Sequence, residues 1–444
     1  MFERLVPARL SAAALAHLQQ NRVQPGTVVA WLGHNSWDML ATLVACQQLG
    51  AVLLPLNWRL AAPELANICQ HAGVGHWMGT PELAALAEQV LALLPLKPGP
   101  AAGIQSGDVL LVYTSGTTGQ PKGALHTAAG MQANALAAIS AQGLNASTRC
   151  LAVLPLFHMG GLCIQTLPTL AVGGRVLLHP RFDPDAWFDA VAAWRPTTTL
   201  LVPAVMRALI EHPRWPGADL SSLLFINSGS QIVPRVLIDA FHARGVPVAQ
   251  VYGATETGPV SIVLEPREAQ AHAGLAGRAA LGVQVQLAAH GEVLLRGANL
   301  MRGYHRQAEP AFDADGWFHT GDLAVLHPSG LYEVTGRCSE LIISGGENIH
   351  PAEIENIASS WPGVAECVAL GLPDARWGAV PVLVLVARPG QVVDTAALQT
   401  EMATRLARFK CPRRVVVLAA LPKTTLGKIQ RAALANQVQL TFDV

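Results

Sequence analysis

Short apolar runs of strand length alternate with helix-length segments through the first 250 or so residues of this chain, and no other feature narrows its possible folds as far. Residues 27–32, 51–54, 109–113, 150–154, 175–179, 198–202, 223–227 and 248–251 read as strands, with helical segments such as 36–49 and 63–71 between them. That rhythm predicts parallel α/β layers and excludes all-α and all-β architectures. From about residue 274 to 335 the helices stop, and 283–287, 292–296 and 331–335 read as short strands between Gly, Asp and Pro turns, a small β subdomain. Past Arg337 the pattern becomes compact α+β, with strands at 341–344, 364–370 and 380–387 and helices at 352–359 and 395–408. That stretch is long enough for a second domain. The Pro- and Gly-rich patch 95–107 reads as a surface connection.

At 444 residues, 51% of them hydrophobic, the chain can fill a sizeable core. Thirty basic and thirty acidic residues leave no overall field to draw in nucleic acid or an anionic membrane, so anion recognition must be local. Seven cysteines form no C-x-x-C pair and no zinc spacing with the 15 histidines, which fits free thiols in a reducing compartment. The longest apolar runs, such as 379–387, fall short of the roughly 20 residues of a membrane helix, so no integral membrane segment is expected. Arg4, Arg9 and the apolar patch 12–16 faintly echo a signal peptide; the reading here is an amphipathic helix in a cytoplasmic protein.

The stretch Tyr113-Thr-Ser-Gly-Thr-Thr-Gly-Gln-Pro-Lys-Gly-Ala124 is suited to holding polyphosphate. Gly116, Gly119 and Gly123 let backbone N–H groups approach an anion, Thr114, Ser115, Thr117 and Thr118 supply hydroxyls, and Lys122 brings a mobile charge. The Walker A spacing is absent, which disfavours a P-loop kinase or GTPase. A predicted strand before the loop and a predicted helix from about 126 to 141 after it would place it where α/β sheets bind ligands.

Five further motifs follow: Leu154-Pro-Leu-Phe-His-Met-Gly160, Val251-Tyr-Gly-Ala-Thr-Glu-Thr-Gly258, His319-Thr-Gly-Asp-Leu323, a run from Gly336 to Glu355 containing Ser344-Gly-Gly-Glu347, and Leu421-Pro-Lys-Thr-Thr-Leu-Gly-Lys428. In wording and order the set resembles the acyl-adenylate-forming (AMP-binding) ligases, and most of all the acyl-CoA synthetases, over nearly the whole chain. The resemblance implies a large N-terminal domain of layered α/β subdomains plus a small β subdomain (1–337), a hinge at 338–339 and a small mobile α+β C-terminal domain (340–444). It implies an AMP-forming acid–thiol ligase of EC class 6.2.1. A carboxylate attacks the α-phosphorus of ATP to give acyl-AMP and pyrophosphate, and the thiol of coenzyme A then displaces AMP. Mg²⁺ and a possible homodimer come with the resemblance, as does a start some tens of residues upstream of the one seen here.

Residue by residue, the resemblance assigns the loop from Thr114 to Lys122 to the phosphates, and Thr255 and Glu256 to the α-phosphate and Mg²⁺. Lys428 becomes the catalytic clamp on the carboxylate and α-phosphate. Asp322 and Arg337 would hold the ribose, and Ser228, Gly229, Gln250, Val251 and Tyr252 the adenine. His158 would gate or steer the acyl group beside Met159, Gly160, Leu201, Gly253, Gly258 and Pro259. Gly345 and Gly346 would leave room for the pantetheine arm, with Arg59, Trp377, Phe409 and Arg413 on the nucleotide of CoA. The hinge position, commonly Asp or Lys, is Ser339.

No basic residue stands among the acyl-pocket positions, so a second substrate carboxylate is not expected. Gly160 and Gly258 suggest an open channel, which favours a fatty acid over a compact aromatic acid. Two other readings remain: an adenylating enzyme that loads a carrier protein, and a noncatalytic homologue that retains the fold.

Overall fold

The computed structural model describes residues 6–94, 96–114, 121–374, 376–423 and 429–440. Two large sheets form the first part of the molecule. In the first, the order is Gly303–Tyr304, Lys122–Thr127, Asp108–Thr114, Val52–Leu56, Val28–Leu32 and Val74–Gly79, with the last four strands parallel. Val28–Leu32 and Val52–Leu56 are buried along their whole length, which explains continuous apolar runs in place of alternation. The helix Trp37–Leu49 between them opens with the Ser36 hydroxyl accepting from the Met39 N–H at 3.2 Å. It closes at Gly50 in the left-handed region, φ +68°.

The second sheet runs Arg278–Ala279, Ile262–Val263, Val248–Tyr252, Phe225–Gly229, Thr198–Leu201, Arg149–Ala152 and Arg175–Leu178, parallel except for its first two strands. A four-stranded antiparallel sheet, Val283–Leu287, Glu292–Gly297, Phe318–Leu326 and Tyr332–Arg337, is the expected β subdomain. After a 3₁₀ turn at Cys338–Glu340 comes a five-stranded sheet with its own core around Ile354, Leu383, Leu385 and Leu398. The Arg388 guanidinium reaches back to Glu211 at 3.5 Å. No helix among the described residues is long and apolar enough to cross a membrane.

The fold corrects the reading around the phosphate loop. Lys122–Thr127 is a strand that pairs antiparallel with Asp108–Thr114, so the loop closes a β-hairpin and does not lead into a helix. Thr114 and Lys122 face each other across the pair. The helix starts only at Ala128, where the Thr127 hydroxyl accepts from the Gly130 N–H at 3.0 Å. Strands Val74–Gly79, Phe318–Leu326 and Arg414–Leu418 and helices Ala84–Leu93 and Arg431–Leu440 escaped the sequence reading. Glycines at 75 and 321 interrupt two of those strands, and a local pattern cannot show that a neighbouring strand will hold them in place.

Candidate active site

The hairpin delivers Thr114 and Lys122 to one end of a constellation centred on Glu256. Its Oε1 accepts from the Tyr304 hydroxyl at 3.0 Å and from Thr114 Oγ1 at 3.4 Å. The Lys122 ammonium stands 5.2 Å above the Tyr304 ring. Tyr304 belongs to the two-residue edge strand that pairs with Ala124 and Leu125, and the sequence reading missed it. An isolated Gly-Tyr carries no signal until the pairing is known. Burial and the Glu256 carboxylate push the Tyr304 hydroxyl well above its usual range, so it stays a proton donor. Thr255 sits near the buried His126, whose pKa burial pushes down to about 4. Ser115, Gly116, Thr117, Thr118 and Gly119 lie outside the described residues, as does Lys428.

A second constellation forms where strands cross. Asp322 and Arg337 are register partners on Phe318–Leu326 and Tyr332–Arg337, and Arg337 Nε lies 3.0 Å from Asp322 Oδ1. The Tyr252 hydroxyl donates to Asp322 Oδ2 at 2.9 Å. Burial and the Asp322 charge hold that phenol protonated. Thr320, another residue missed from sequence, accepts from the Asp322 N–H at 3.1 Å. Val251 pairs with Gly229 and Gln250 with Ser228 on adjacent parallel strands. A side chain on Gly229 would run into the Val251 carbonyl, so only glycine lets these strands meet there. The side chains of Gln250 and Ser228 are taken up structurally, on the Leu275 carbonyl at 2.6 Å and the Met206 sulfur at 3.3 Å. Those bonds occupy the donor side of both side chains and hold them in place.

The residues assigned to the acyl group are organised differently. His158 packs against Phe157 with ring centroids 4.5 Å apart, and burial together with the Arg59 charge pushes its pKa down to about 4. The imidazole is therefore neutral near pH 7 and works by shape and hydrogen bonding, not as a cation. Arg59 stands 5.0 Å from the Trp58 ring and 6.0 Å from the Phe157 ring, at this gate. Met159 and Leu201 are buried, and a Cβ on Gly160 would meet Ile164 and Ser230 only at ordinary contact distances, 3.6 and 3.9 Å. A small side chain would fit at Gly160 without a clash.

Gly258 does not support the open channel expected from Gly160 and Gly258, and Gly253 behaves alike. A Cβ on Gly258 (φ +64°) would point into the Asn299 carbonyl, and one on Gly253 into the backbone of the buried Pro259. Asn299 Nδ2 is bonded to the Thr257 carbonyl at 2.7 Å, which fixes that turn. Both glycines serve close backbone packing, so their missing side chains are explained without an open channel.

In the C-terminal part, Gly345 (φ +60°) lies under the Trp377 ring, with 2.7 Å left for a Cβ, while nothing stands within 4 Å at Gly346. Only Gly346 offers the free space expected of both. Trp377 and Arg413 line a cleft of about 500 Å³ together with Arg376, Arg414 and Asp374. The Arg376 guanidinium lies 4.9 Å from the Trp377 ring. Arg376 and Arg414 add to the two residues singled out from sequence. Phe409, 40% exposed, sits on the 3₁₀ turn Arg408–Lys410, and Ser339 is exposed on the turn after Arg337.

Residues 8–305 match the family of AMP-binding enzymes, and residues 353–428 match the AMP-binding enzyme C-terminal domain. The chain belongs to the AMP-binding enzymes. Within this family it is an acyl-adenylate-forming enzyme of the acyl-CoA ligase type. It is 43% identical to indoleacetate–CoA ligase of Aromatoleum aromaticum, over 97% of this chain and 90% of the relative. It is 40% identical to feruloyl-CoA synthase of an Amycolatopsis species, over 92% and 88%. Among solved structures, the anthranilate CoA ligase AuaEII in complex with anthranoyl-AMP superposes with a TM-score of 0.89 at 25% identity, covering 98% of this chain and 92% of that one. ATP and CoA as substrates fit this membership.

Proposed function

We propose that this enzyme is an AMP-forming CoA ligase for an aromatic monocarboxylic acid. The observation that carries the aromatic reading is the pair of 43% and 40% identities, over nearly the full chain, to ligases named for indoleacetate and ferulate. The geometry of Gly258 supports it, because one of the two glycines that favoured a fatty acid turns against backbone and opens no channel. A planar acid suits a gate of Phe157, His158 and Gly160, where one glycine leaves room beside a ring.

In this reading the acid's carboxylate oxygen bonds to the α-phosphorus while the bond to pyrophosphate breaks. Both reactants are anionic, so the chain's task is positioning and charge neutralisation. Lys122 and the loop that it closes bind the β- and γ-phosphates. Asp322 accepts from the ribose hydroxyls and Arg337 keeps its carboxylate oriented. The hydroxyl of Tyr252 anchors its ring to Asp322 at the edge of the adenine. Glu256 and the Thr114 hydroxyl are hard oxygen donors that fit Mg²⁺, which when bound supplies charge neutralisation on the phosphates. Lys428 takes the α-phosphate oxygens in this step.

For the second step the part beyond 337 turns about residues 338–339 and brings Gly346 to the acyl carbon. The CoA sulfur bonds to that carbon, AMP leaves, and the thiol proton passes to solvent. The cleft of Trp377, Arg376, Arg413 and Arg414 has the stacking surface and cations for the nucleotide end of CoA. The test is mass spectrometry of products from indoleacetate, ATP and Mg²⁺ offered CoA or a phosphopantetheinylated carrier protein. Indoleacetyl-CoA is expected; acyl-carrier alone, or no acyl product from any aromatic acid, would overturn the reading.

A further inference from the structure

Beside the turn at 338–340, three side chains that contact neither substrate nor phosphate in this reading converge. His290 lies between the strands Val283–Leu287 and Glu292–Gly297, Glu292 opens the second of them, and Cys338 opens the 3₁₀ turn directly after Arg337. One donor atom from each of the three lies within 4.8 Å of the others. The two oxygens of Glu292 have separate partners. Oε1 accepts from the Gly321 N–H at 3.0 Å, and Oε2 lies 3.3 Å from both His290 Nε2 and His319 Nδ1. The Glu292 side chain is only 12% exposed, while His290 is open to solvent and marks a path of entry.

We infer that His290, Glu292 and Cys338 form a site for a divalent ion of the Zn²⁺ or Co²⁺ kind, which ties the turn between the two domains to the β subdomain. The donor set decides the class of ion. One imidazole, one carboxylate and one thiolate suit a borderline ion in tetrahedral geometry, whereas Mg²⁺ and Ca²⁺ prefer oxygen alone. Bonds of about 2.0–2.3 Å give tetrahedral edges of roughly 3.3–3.8 Å. The His290–Glu292 separation already has that length, and the Cys338 sulfur, within 4.8 Å of both donors, must move closer by a side-chain rotation of its own for the site to close. Water or the His319 imidazole, on the same carboxylate oxygen, completes the fourth position.

The competing arrangement is a carboxylate between two imidazole rings, with no ion. That arrangement makes no use of the thiol, so Cys338 separates the two. The consequence for turnover rests on the rotation assigned above: an ion clamped across the turn would slow the movement between half-reactions.

The experiment is a Co²⁺ titration of the metal-free, full-length protein, followed by absorption. The expected result is one equivalent bound, with intense visible bands of tetrahedral cobalt and a near-ultraviolet thiolate-to-cobalt band. Cys338→Ser should lose the near-ultraviolet band, and His290→Ala, on an exposed turn, should weaken binding at least tenfold. Absence of the thiolate band in the wild type, or its persistence in Cys338→Ser, would overturn the site and leave only the ion pairs. This readout needs no turnover, so it stands or fails separately from the ligase reading. Zn²⁺ should also slow CoA thioester formation in the wild type and not in His290→Ala. Equal rates with and without Zn²⁺ would break the link to rotation.

Discussion

The residues assigned to the nucleotide and those assigned to the acyl group are built on opposite principles. At the nucleotide end, polar side chains from different strands bond to one another: Tyr252 to Asp322, Asp322 to Arg337, Tyr304 and Thr114 to Glu256. At the acyl end, the decisive features are where side chains are missing and what the backbone does there. Gly160 leaves space, whereas Gly253 and Gly258 leave none, although all three are the same residue type. A polar network ties function to residue identity. A packed pocket ties it to position, and identity alone says little.

The contrast can be broken by substitution. Glu256→Gln keeps the shape and removes the charge, and should lower pyrophosphate release by about 10²- to 10³-fold with unchanged thermal stability. A rate within tenfold of wild type would remove Glu256 from the phosphate end. Asp322→Asn loses a charged acceptor worth about 1.5–3 kcal/mol, so KM for ATP should rise roughly 10- to 100-fold while KM for the acid stays put. Parallel changes in both constants would mean that the two ends are not separate.

At the acyl end, Gly258→Ala should cost about 1–3 kcal/mol of stability, through a strained left-handed backbone and a clash with Asn299, while the order of preferred acids is kept. Gly160→Val should do the reverse, altering the acid profile about tenfold with little effect on unfolding. Interchanged outcomes would contradict the assignment of space to Gly160 alone.

A further effect is expected from pH. Burial pushes His126, His158 and His305 down to about 4, against roughly 6.5 in an unfolded chain. Between those values the unfolded state binds more protons, so stability is full above about 6.5 and falls as pH drops toward 4. Each histidine can contribute at most about 1.4 kcal/mol per pH unit in that window. Denaturant unfolding at pH 7 and pH 5 measures the loss, and a flat profile would mean that these rings charge freely in the folded state.

Asp322, Arg337 and Glu256 could be singled out in the sequence because they stand inside motifs, and the structure bonds Asp322 to Arg337. The parallel core was readable too, since strands such as Val28–Leu32 are apolar throughout and buried throughout. What could not be read depends on distant pairing. Tyr304 reaches Glu256 only because Gly303–Tyr304 adds to the edge of the hairpin, and that hairpin itself was mistaken for a strand, loop and helix. Likewise, Gly258 looked like an opening until Asn299, some forty residues on, was seen to fill the place. Arg59 shows the same limit, since its place beside Phe157 and His158 follows from a contact between segments about a hundred residues apart.

The most direct test of the whole account is a comparison of kcat/KM for CoA thioester formation with indoleacetate, ferulate and octanoate at saturating ATP and CoA. At least tenfold preference for one of the aromatic acids over octanoate is the expected result. A preference for octanoate would contradict the proposed specificity, and thioester formation without release of AMP would contradict the mechanism itself.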